Sequence, residues 1–180
     1  MWNVKEAKPV KLIVGILAAD HQSLHAAVEA IDAKLGKTDF TSDVWPFDKT
    51  DYYKDQTGPR ILRQFVSIEK LIDPGKLVKI KHKTNKLEQK LAAKAALPVP
   101  RPVNLDPGYI EPSKLVLAST KNYSHRIYIG KKIYAEVTLI FDKGNWRPLE
   151  HTYPDYRQQC YFDFFAKVRN KLLEQLKSKC

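Results

Sequence analysis

The sequence has few of the residues that brace small or metal-dependent folds. Its 180 residues include only two cysteines, Cys160 and Cys180, which form neither a Cys-x-x-Cys pair nor a Cys/His cluster. Two isolated cysteines predict free thiols in a reducing compartment such as the cytoplasm, and they argue against a disulfide framework or a structural zinc site. An apolar core must therefore stabilise the chain, and 43% hydrophobic residues suffice for one.

Long hydrophobic runs are also missing, so we expect no membrane partner. The apolar stretch Leu12–Ala19 follows three lysines and superficially resembles a secretion signal. It is short, it contains Gly15, and it has no pair of small residues that would mark a cleavage site. These features favour a buried first β-strand.

Acidic residues are few beside the basic ones: 20 Asp and Glu against 31 Lys and Arg give a net charge of +11. The excess fits either a surface that binds nucleic acid or another polyanion, or a solvated lysine-rich surface. A stripe of lysines at helical spacing sharpens the first alternative, because it could follow a nucleic-acid backbone. The stripe consists of Lys79, Lys83, Lys86, Lys90 and Lys94.

Hydrophobic periodicity predicts the order strand, helix, strand, strand, helix and strand, followed by a hairpin and a last helix. Strands are predicted at Val10–Ala19, Val44–Phe47 and Ile61–Leu71, and helices at about Asp20–Leu35, from Asp73-Pro74 onward, and at about Gln158–Lys177. In the second helix, Leu77, Ile80, Thr84, Leu87 and Leu91 recur at intervals of three and four, as in a core-facing stripe.

The first six elements match an α+β fold of the ferredoxin-like (split βαβ) type, which has an antiparallel sheet core. A C-terminal β-hairpin and helix extend this core. We therefore expect a single domain over residues 1–180, with the βαββαβ part at 9–110 and the hairpin-plus-helix extension at 111–180. Five prolines lie in Ala96–Pro112. Its apolar residues, among them Val103 and Leu105, nevertheless predict an ordered crossing and not a free linker.

The segments Ser124–Ile129 and Ile133–Phe141 flank a Gly-Lys-Lys turn and predict a β-hairpin. A two-residue loop would mix apolar and polar side chains on both faces, whereas a three-residue loop sorts them, so the pattern selects the latter. One face then carries Ile127, Ile129, Ile133, Ala135, Val137, Leu139 and Phe141. The other carries Arg126 opposite Glu136 and Tyr128 opposite Tyr134, with Thr138 beyond.

This polar face has two interpretations. It is a solvent-facing sheet surface, where an ion pair contributes about 0–1 kcal/mol, or it is the wall of a ligand site, since arginine, tyrosine and carboxylate groups hold anions and planar rings. The loop before it is dense in groups that bind phosphate or carboxylate. The candidate ligand-binding residues are Asn104, Asp106, Lys114, Thr120, Lys121, Asn122, His125, Arg126, Tyr128, Tyr134, Glu136, Tyr153, Asp155 and Tyr156.

Roles within this set follow from side-chain chemistry. We expect the anion to be held by Arg126, Lys114 and Lys121, and a ring to stack on Tyr128, Tyr134 and Tyr156. Glu136 or Asp106 would orient polar groups, or act as a base if the protein is an enzyme. Asn104 and Asp106 are also typical turn residues, and that alternative stays open.

Established catalytic and nucleotide-binding motifs are missing from the sequence. Gly36-Lys37-Thr38 supplies only the second half of a P-loop, since Ile31 stands where the first glycine is required. His21, His25 and Glu29 have helical spacing, but no second cluster supports them, and we predict no metal site. No pattern identifies a cofactor, a reaction or an oligomeric state.

Long strings of residues carry a family resemblance. They are Phe47–Tyr53, Lys83–Glu88, Val103–Tyr109, Lys114–Tyr128, Ile133–Leu139 and Thr152–Arg157. Together they resemble the bacterial domain of unknown function family 4416, over about Pro9 to Arg169. The resemblance implies no catalytic residues, because the family has no established activity. Similar sequences tend to carry Glu-Met-Gly in place of Gln56-Thr57-Gly58, and often tryptophan in place of His151.

Two hypotheses about function follow. The first is a cytoplasmic protein that binds a small anionic ligand, such as a nucleotide or a phosphorylated metabolite, on the Arg101–Tyr156 side. The second is an RNA-binding module that uses the basic surface. Against the second, Arg60–Ile68 lacks the glycine and aromatic spacing of the RNA-recognition strand motif.

Overall fold

The computed structural model describes residues 2–48, 54–95 and 97–178, with the backbone alone for Lys54 and Asp55. Residues 49–53, which belong to one of the family-like strings, and Cys180 lie outside this part. The strands are β1 (Lys11–Ala18), β2 (Thr38–Thr41), β3 (Trp45–Phe47), β4 (Ile61–Ile68), β5 (Val103–Glu111), β6 (Lys114–Ser119), β7 (Ile127–Gly130), β8 (Ile133–Asp142) and β9 (Asn145–Pro148). The helices are α1 (His21–Leu35), the single turn α2 (Lys54–Thr57), α3 (Leu77–Lys94) and α4 (Gln159–Lys177), with 3-10 turns at Pro74–Lys76 and Pro154–Arg157.

Local sequence fixes where α1 begins and ends. The Asp20 side chain accepts a hydrogen bond of 2.7 Å from the Ser23 backbone N–H, as an N-cap does. Gly36 follows the last turn with a φ of +122°, a conformation that glycine adopts without strain. The predicted helix is confirmed at both ends.

The nine strands form one antiparallel sheet in the order β2-β4-β1-β5-β6-β8-β7, with β3 also paired to β4 and β9 to β8. Helices α1 and α3 cover one face, where Leu12, Val14 and Ile16 of β1 enter their core. Helix α4 covers the other face through an aromatic cluster that includes Phe65 and Phe165. The expected mixed α/β architecture is confirmed.

β1 is buried along its whole length because helices cover both of its faces, and this explains its continuous apolar run. Its first residue, Lys11, is fully buried as well. The Lys11 ammonium donates hydrogen bonds to the side chains of Asp39 and Gln175 and to the Glu69 carbonyl. Lys11 is thus a paired core residue and does not share the exposure of Lys5 and Lys8.

The hairpin register is confirmed within the strands, where Ile127 lies opposite Ala135 and Tyr128 opposite Tyr134. The predicted three-residue loop is wrong in detail, because Gly130 pairs with Ile133 and a bulge separates that pair from Tyr128. The remaining two loop residues, lysines 131 and 132, both have positive φ, 49° and 64°, as a type I′ turn requires.

The predicted single apolar face of β8 is also wrong in part. Val137 pairs with Val116 in the cluster under α3, whereas Leu139 pairs with Leu115 in the aromatic core under α4. A bulge in the β6–β8 ladder between these two pairs accounts for the switch, since one extra residue moves all later side chains to the other face.

Strands β5 and β6 pair only over Gly108–Glu111 and Lys114–Leu117, and N-terminal to Gly108 they are unpaired with each other. Gly108 allows β5 and β6 to approach closely at the last pair before the strands separate. A Cβ at Gly108 would lie 2.4 Å from the Val116 carbonyl oxygen. Pro107, the next residue back, has no N–H to offer a neighbouring strand. We call the resulting opening the β5–β6 gap.

Side chains of α3 take the place of a strand at this gap. The Leu105 N–H donates to the Glu88 carboxylate (2.8 Å), and the Leu105 carbonyl accepts from the Lys81 ammonium (2.9 Å). Glu88 is further bound by the Arg101 guanidinium (2.6 Å). Buried charged groups therefore line the opening between the two strands.

Candidate functional site

Arg126 fixes the loop between β6 and β7. Its guanidinium donates from Nε to Glu136 (2.7 Å), from Nη1 to the Ser119 hydroxyl (3.0 Å) and the Lys121 carbonyl (2.9 Å), and from Nη2 to the Tyr153 hydroxyl. The side chains of Arg126 and Glu136 are 2% and 1% exposed, so the pair is enclosed and does not lie on a solvent-facing surface. Burial acts to lower the pKa of Arg126, but Glu136 and Tyr153 together raise it by more, and the guanidinium stays charged.

Three aromatic rings stack beside this pair. The Tyr123 and His125 centroids are 6.0 Å apart at 16°, and the His125 and His151 centroids are 4.3 Å apart at 13°. The His125 Nε2 atom lies 3.2 Å from Glu136, and the His151 Nε2 atom lies 3.0 Å from the Val137 carbonyl oxygen. Tyr123 is 57% exposed, so the stack presents an aromatic surface to solvent.

A second buried arginine, Arg63 of β4, is not among the predicted site residues. Its Nη2 atom donates to Asp155 (2.8 Å), and the centroids of Phe47, Phe65 and Tyr156 lie 5.0, 5.2 and 5.7 Å from its guanidinium carbon. Burial acts to lower the pKa of Arg63, but Asp155, Tyr156, Tyr161 and Asp106 together raise it by more. Burial raises the pKa of Asp155, an effect that Arg63 opposes.

Four buried polar atoms near Arg63 have no hydrogen-bond partner in the described part of the chain: Nε and Nη1 of Arg63 and the hydroxyls of Tyr156 and Tyr161. The Tyr161 hydroxyl is close enough for Arg63 to oppose the rise in its pKa that burial causes, but the two do not meet hydrogen-bond geometry. A Cβ on Gly15 would lie 3.0 Å from Nη1 of Arg63 and 3.2 Å from the Tyr156 hydroxyl. The missing side chain of Gly15 therefore leaves room for both groups.

Asp106, at the β5–β6 gap, connects the surroundings of the two arginines. Its carboxylate accepts from the Asn104 amide (2.6 Å) and lies 3.6 Å from the Lys81 ammonium. Burial is the largest cause of the raised pKa of both Tyr153 and Asp155, and the charge of Asp106 adds to each. Because the Asp106 side chain is 26% exposed, the polar network reaches solvent here.

The structure brings most of the candidate residues together. The network contains Asn104, Asp106, Lys121, His125, Arg126, Glu136, Tyr153, Asp155 and Tyr156. Thr120 and Asn122 are exposed on the same loop, and Tyr128 and Tyr134 form the next hairpin pair, with ring centroids 5.4 Å apart. Lys114 is not brought in, because it lies at the opposite end of β6 and pairs with Glu111.

Residues outside the predicted set also belong to this network: Arg63, Lys81, Glu88, Ser119 and His151. A signal for Arg63 exists in the sequence, since it alternates with Ile61 and Phe65, the inward positions of β4. Lys81 is one helical turn from Leu77 and therefore faces the same side of α3. In both Arg63 and Lys81, a charged residue occupies a position where the periodicity of its strand or helix predicts a buried apolar one. That pattern identifies both residues from the sequence.

Two open grooves lie elsewhere, against α3. One of about 270 Å³ is lined by Ser23, Leu91, Lys94 and Pro102 among others, and one of about 210 Å³ lies between α1 and α3. No candidate residue lines either groove. In the described ranges, no helix has the length and apolar character to span a bilayer, and no three His, Cys, Asp or Glu side chains are grouped to hold a metal ion.

Comparison with known proteins places the chain in a family. No curated protein and no solved structure matches it significantly. The family model described as Domain of unknown function (DUF4416) matches residues 8–172, and the chain therefore belongs to this family.

Proposed function

We propose that the protein binds a small anionic ligand with a planar ring, such as a nucleotide, on the β6–β7 loop. The observation that carries the proposal is the Tyr123–His125–His151 ring stack, which is anchored on the buried Arg126–Glu136 pair and open at Tyr123. Aromatic faces bind planar rings. Lys121 is exposed on the same loop and supplies a cation for phosphate or carboxylate.

Arg126 serves this site as an organiser. All three of its guanidinium nitrogens already donate to the protein, so Arg126 holds the loop. The exposed Thr120 and Asn122 side chains on that loop would contact the anion. A loop that is ordered before binding loses less conformational entropy when the ligand arrives. The net charge of +11 favours the approach of an anion.

Thermal denaturation with three probes tests the proposal: a nucleoside monophosphate, the matching nucleoside, and ribose 5-phosphate. We expect the monophosphate to raise the melting temperature most, because only it engages both the rings and the cation. Tyr123→Ala is expected to weaken its binding about tenfold, as loss of one stacking partner does. Tyr109→Phe, a change on the sheet face under α3, is the control and leaves the affinity unchanged. Absence of any shift at millimolar concentrations contradicts the proposal.

A second candidate function, nucleic-acid binding, is favoured by α3. Four of its five stripe lysines are exposed and Lys83 is half-buried, and within the described residues none of the five forms an ion pair. The helix contains one carboxylate, Glu88, which is buried against Arg101. Like charges at this spacing destabilise a helix, so a polyanionic partner would relieve their repulsion.

Affinity for a duplex RNA across a salt series tests this second function. Binding through the lysine stripe predicts a linear fall of log K with log salt, and Lys86→Gln with Lys90→Gln reduces the slope by about two. Lys5→Gln with Lys8→Gln removes the same charge from an exposed segment that is not part of α3 and serves as the control. Affinity that is indifferent to salt excludes the function.

We also infer that β1, α1, β2, β4, α3 and β5 form a ferredoxin-like split βαβ unit, to which β6–β9 and α4 add an extension. The order β5-β1-β4-β2 and the antiparallel pairing of all neighbours support this. An experimental structure tests it, because a left-handed crossover at α1 or α3 is incompatible with the fold.

A further inference from the structure

We propose that Arg63, with the hydroxyls of Tyr156 and Tyr161, binds one small singly charged oxyanion, such as a carboxylate, between the sheet and α4. This site is buried and is separate from the exposed β6–β7 loop. The inference therefore does not depend on ligand binding at that loop.

The first argument is the supply of donors. Nε and Nη1 of Arg63 and both tyrosine hydroxyls are buried and without a partner in the described part of the chain. All four atoms can donate a hydrogen bond, and Arg63 has no acceptor of its own. Buried donors without partners are rare in native proteins because each loses its hydrogen bonds to water. A group that offers several acceptor oxygens satisfies the whole set.

The second argument is charge. Arg63 is 3% exposed and keeps its proton, while Asp155 contacts only its Nη2 atom. Asp155 and Asp106 both act electrostatically on Arg63. A second full negative charge would be repelled by these two carboxylates, so the site favours a monoanion over a dianion.

The third argument is size. Phe47 and Phe65 approach the guanidinium, and Gly15 lies beneath Nη1 of Arg63 and the Tyr156 hydroxyl. Even a methyl group on Gly15 would contact those two groups at 3.0 and 3.2 Å. The side of the guanidinium that faces Gly15 therefore has no room for a further atom, and formate, the smallest carboxylate, is the appropriate probe.

The experiment follows the side-chain Nε–H resonance of Arg63 in ¹H–¹⁵N spectra while formate replaces chloride at constant ionic strength. We expect a saturable change at Arg63, in slow exchange because the site is enclosed. Formate binds more tightly than phosphate at pH 8, where phosphate is a dianion. Tyr156→Phe and Tyr161→Phe keep the rings and remove one donor each, and each weakens formate binding roughly tenfold. Tyr109→Phe, on the other face of the sheet, is the control and has no effect.

Three results would overturn the proposal. One is an Arg63 resonance that does not respond to formate even when the formate concentration reaches the molar range. Another is equal formate affinity in the wild type and in both phenylalanine variants. The third is a crystal structure in formate that shows only water at Nε and Nη1 of Arg63.

Discussion

Arg63 and Asp155 form a buried ion pair of 2.8 Å although 92 positions separate them in the chain. The pair joins β4 to the 3-10 turn that precedes α4. Tyr153, at the start of the same turn, accepts a hydrogen bond from Arg126. One turn thus contacts both buried arginines, and we expect it to couple the β6–β7 loop to the core.

Loss of the Asp155 charge should be strongly destabilising. Asp155→Asn leaves the Arg63 guanidinium buried without a counter-charge, and removal of one partner from a buried pair costs about 3–5 kcal/mol. Urea denaturation measures the change in the free energy of unfolding. Glu111→Gln breaks the partly exposed pair with Lys114 and serves as the control, with an expected cost of about 0–1 kcal/mol. Equal effects of the two substitutions would mean that the Arg63–Asp155 pair is not buried in solution.

Gly108 and Gly15 should tolerate alanine to different degrees. In Gly108→Ala the new methyl lies 2.4 Å from a backbone oxygen, which cannot rotate away, so β5 and β6 must separate. In Gly15→Ala the contacts at 3.0 to 3.2 Å are with side chains, which can shift. Melting temperatures should therefore fall more for Gly108→Ala, by an amount equivalent to at least about 1–3 kcal/mol. The reverse order would contradict the close approach of β5 and β6.

Arg126 should control the order of the β6–β7 loop. Arg126→Lys keeps the charge, but one ammonium cannot reproduce a planar fork that donates to four acceptors. We expect faster amide hydrogen exchange throughout the loop and weaker binding of the nucleoside monophosphate. Arg169 lies on α4 and its guanidinium donates to the Pro112 carbonyl, so Arg169→Lys is the control and should leave loop exchange unchanged. Unchanged exchange in Arg126→Lys would show that other contacts order the loop.

Stability should decline at alkaline pH because of two buried tyrosines, one in the 3-10 turn before α4 and one on α4. Burial raises the pKa of Tyr156 and of Tyr161 above the usual value, with Asp155 adding to both shifts and Arg63 opposing them. Above pH of about 10 the unfolded chain loses these protons while the folded chain retains them, so the free energy of unfolding falls as pH rises. Each group contributes a slope of up to about 1.4 kcal/mol per pH unit.

Urea denaturation between pH 9 and 11 measures that slope, and Tyr156→Phe should reduce it. Absorbance at 295 nm in the same range should show that these two hydroxyls ionise only on unfolding. Ionisation of every tyrosine near pH 10 in the folded protein would contradict their burial.

Elements that depend on local pattern could be predicted from the sequence. The bounds of α1, the α3 core stripe and the Tyr128–Tyr134 hairpin register depend on neighbours within one or two elements, and the structure confirms them. β2 could not be predicted, because Thr38–Thr41 has no apolar alternation and is ordered by its pairing with β4.

The buried contacts of Lys81 and Glu88 could not be predicted for a different reason. These contacts join residues that are far apart in the sequence. The phase of Lys81 along α3 indicates burial, but the sequence of α3 does not identify the partners of Lys81 and Glu88. Lys81 and Glu88 become buried hydrogen-bond partners only because the backbone of Leu105 lies beside α3 in the folded chain. The alternation of β8 predicts the wrong face for Leu139, because the bulge set by the β6–β8 pairing is not visible in that alternation.

Chemical-shift mapping tests the proposed ligand site most directly. Backbone ¹H–¹⁵N spectra of the wild-type protein are recorded during titration with a nucleoside monophosphate. We predict saturable shifts concentrated in residues 119–126 and 151–156, with the largest at Tyr123 and His125. Shifts confined to α3, or no saturable shifts at millimolar ligand, would contradict a ligand site on the β6–β7 loop.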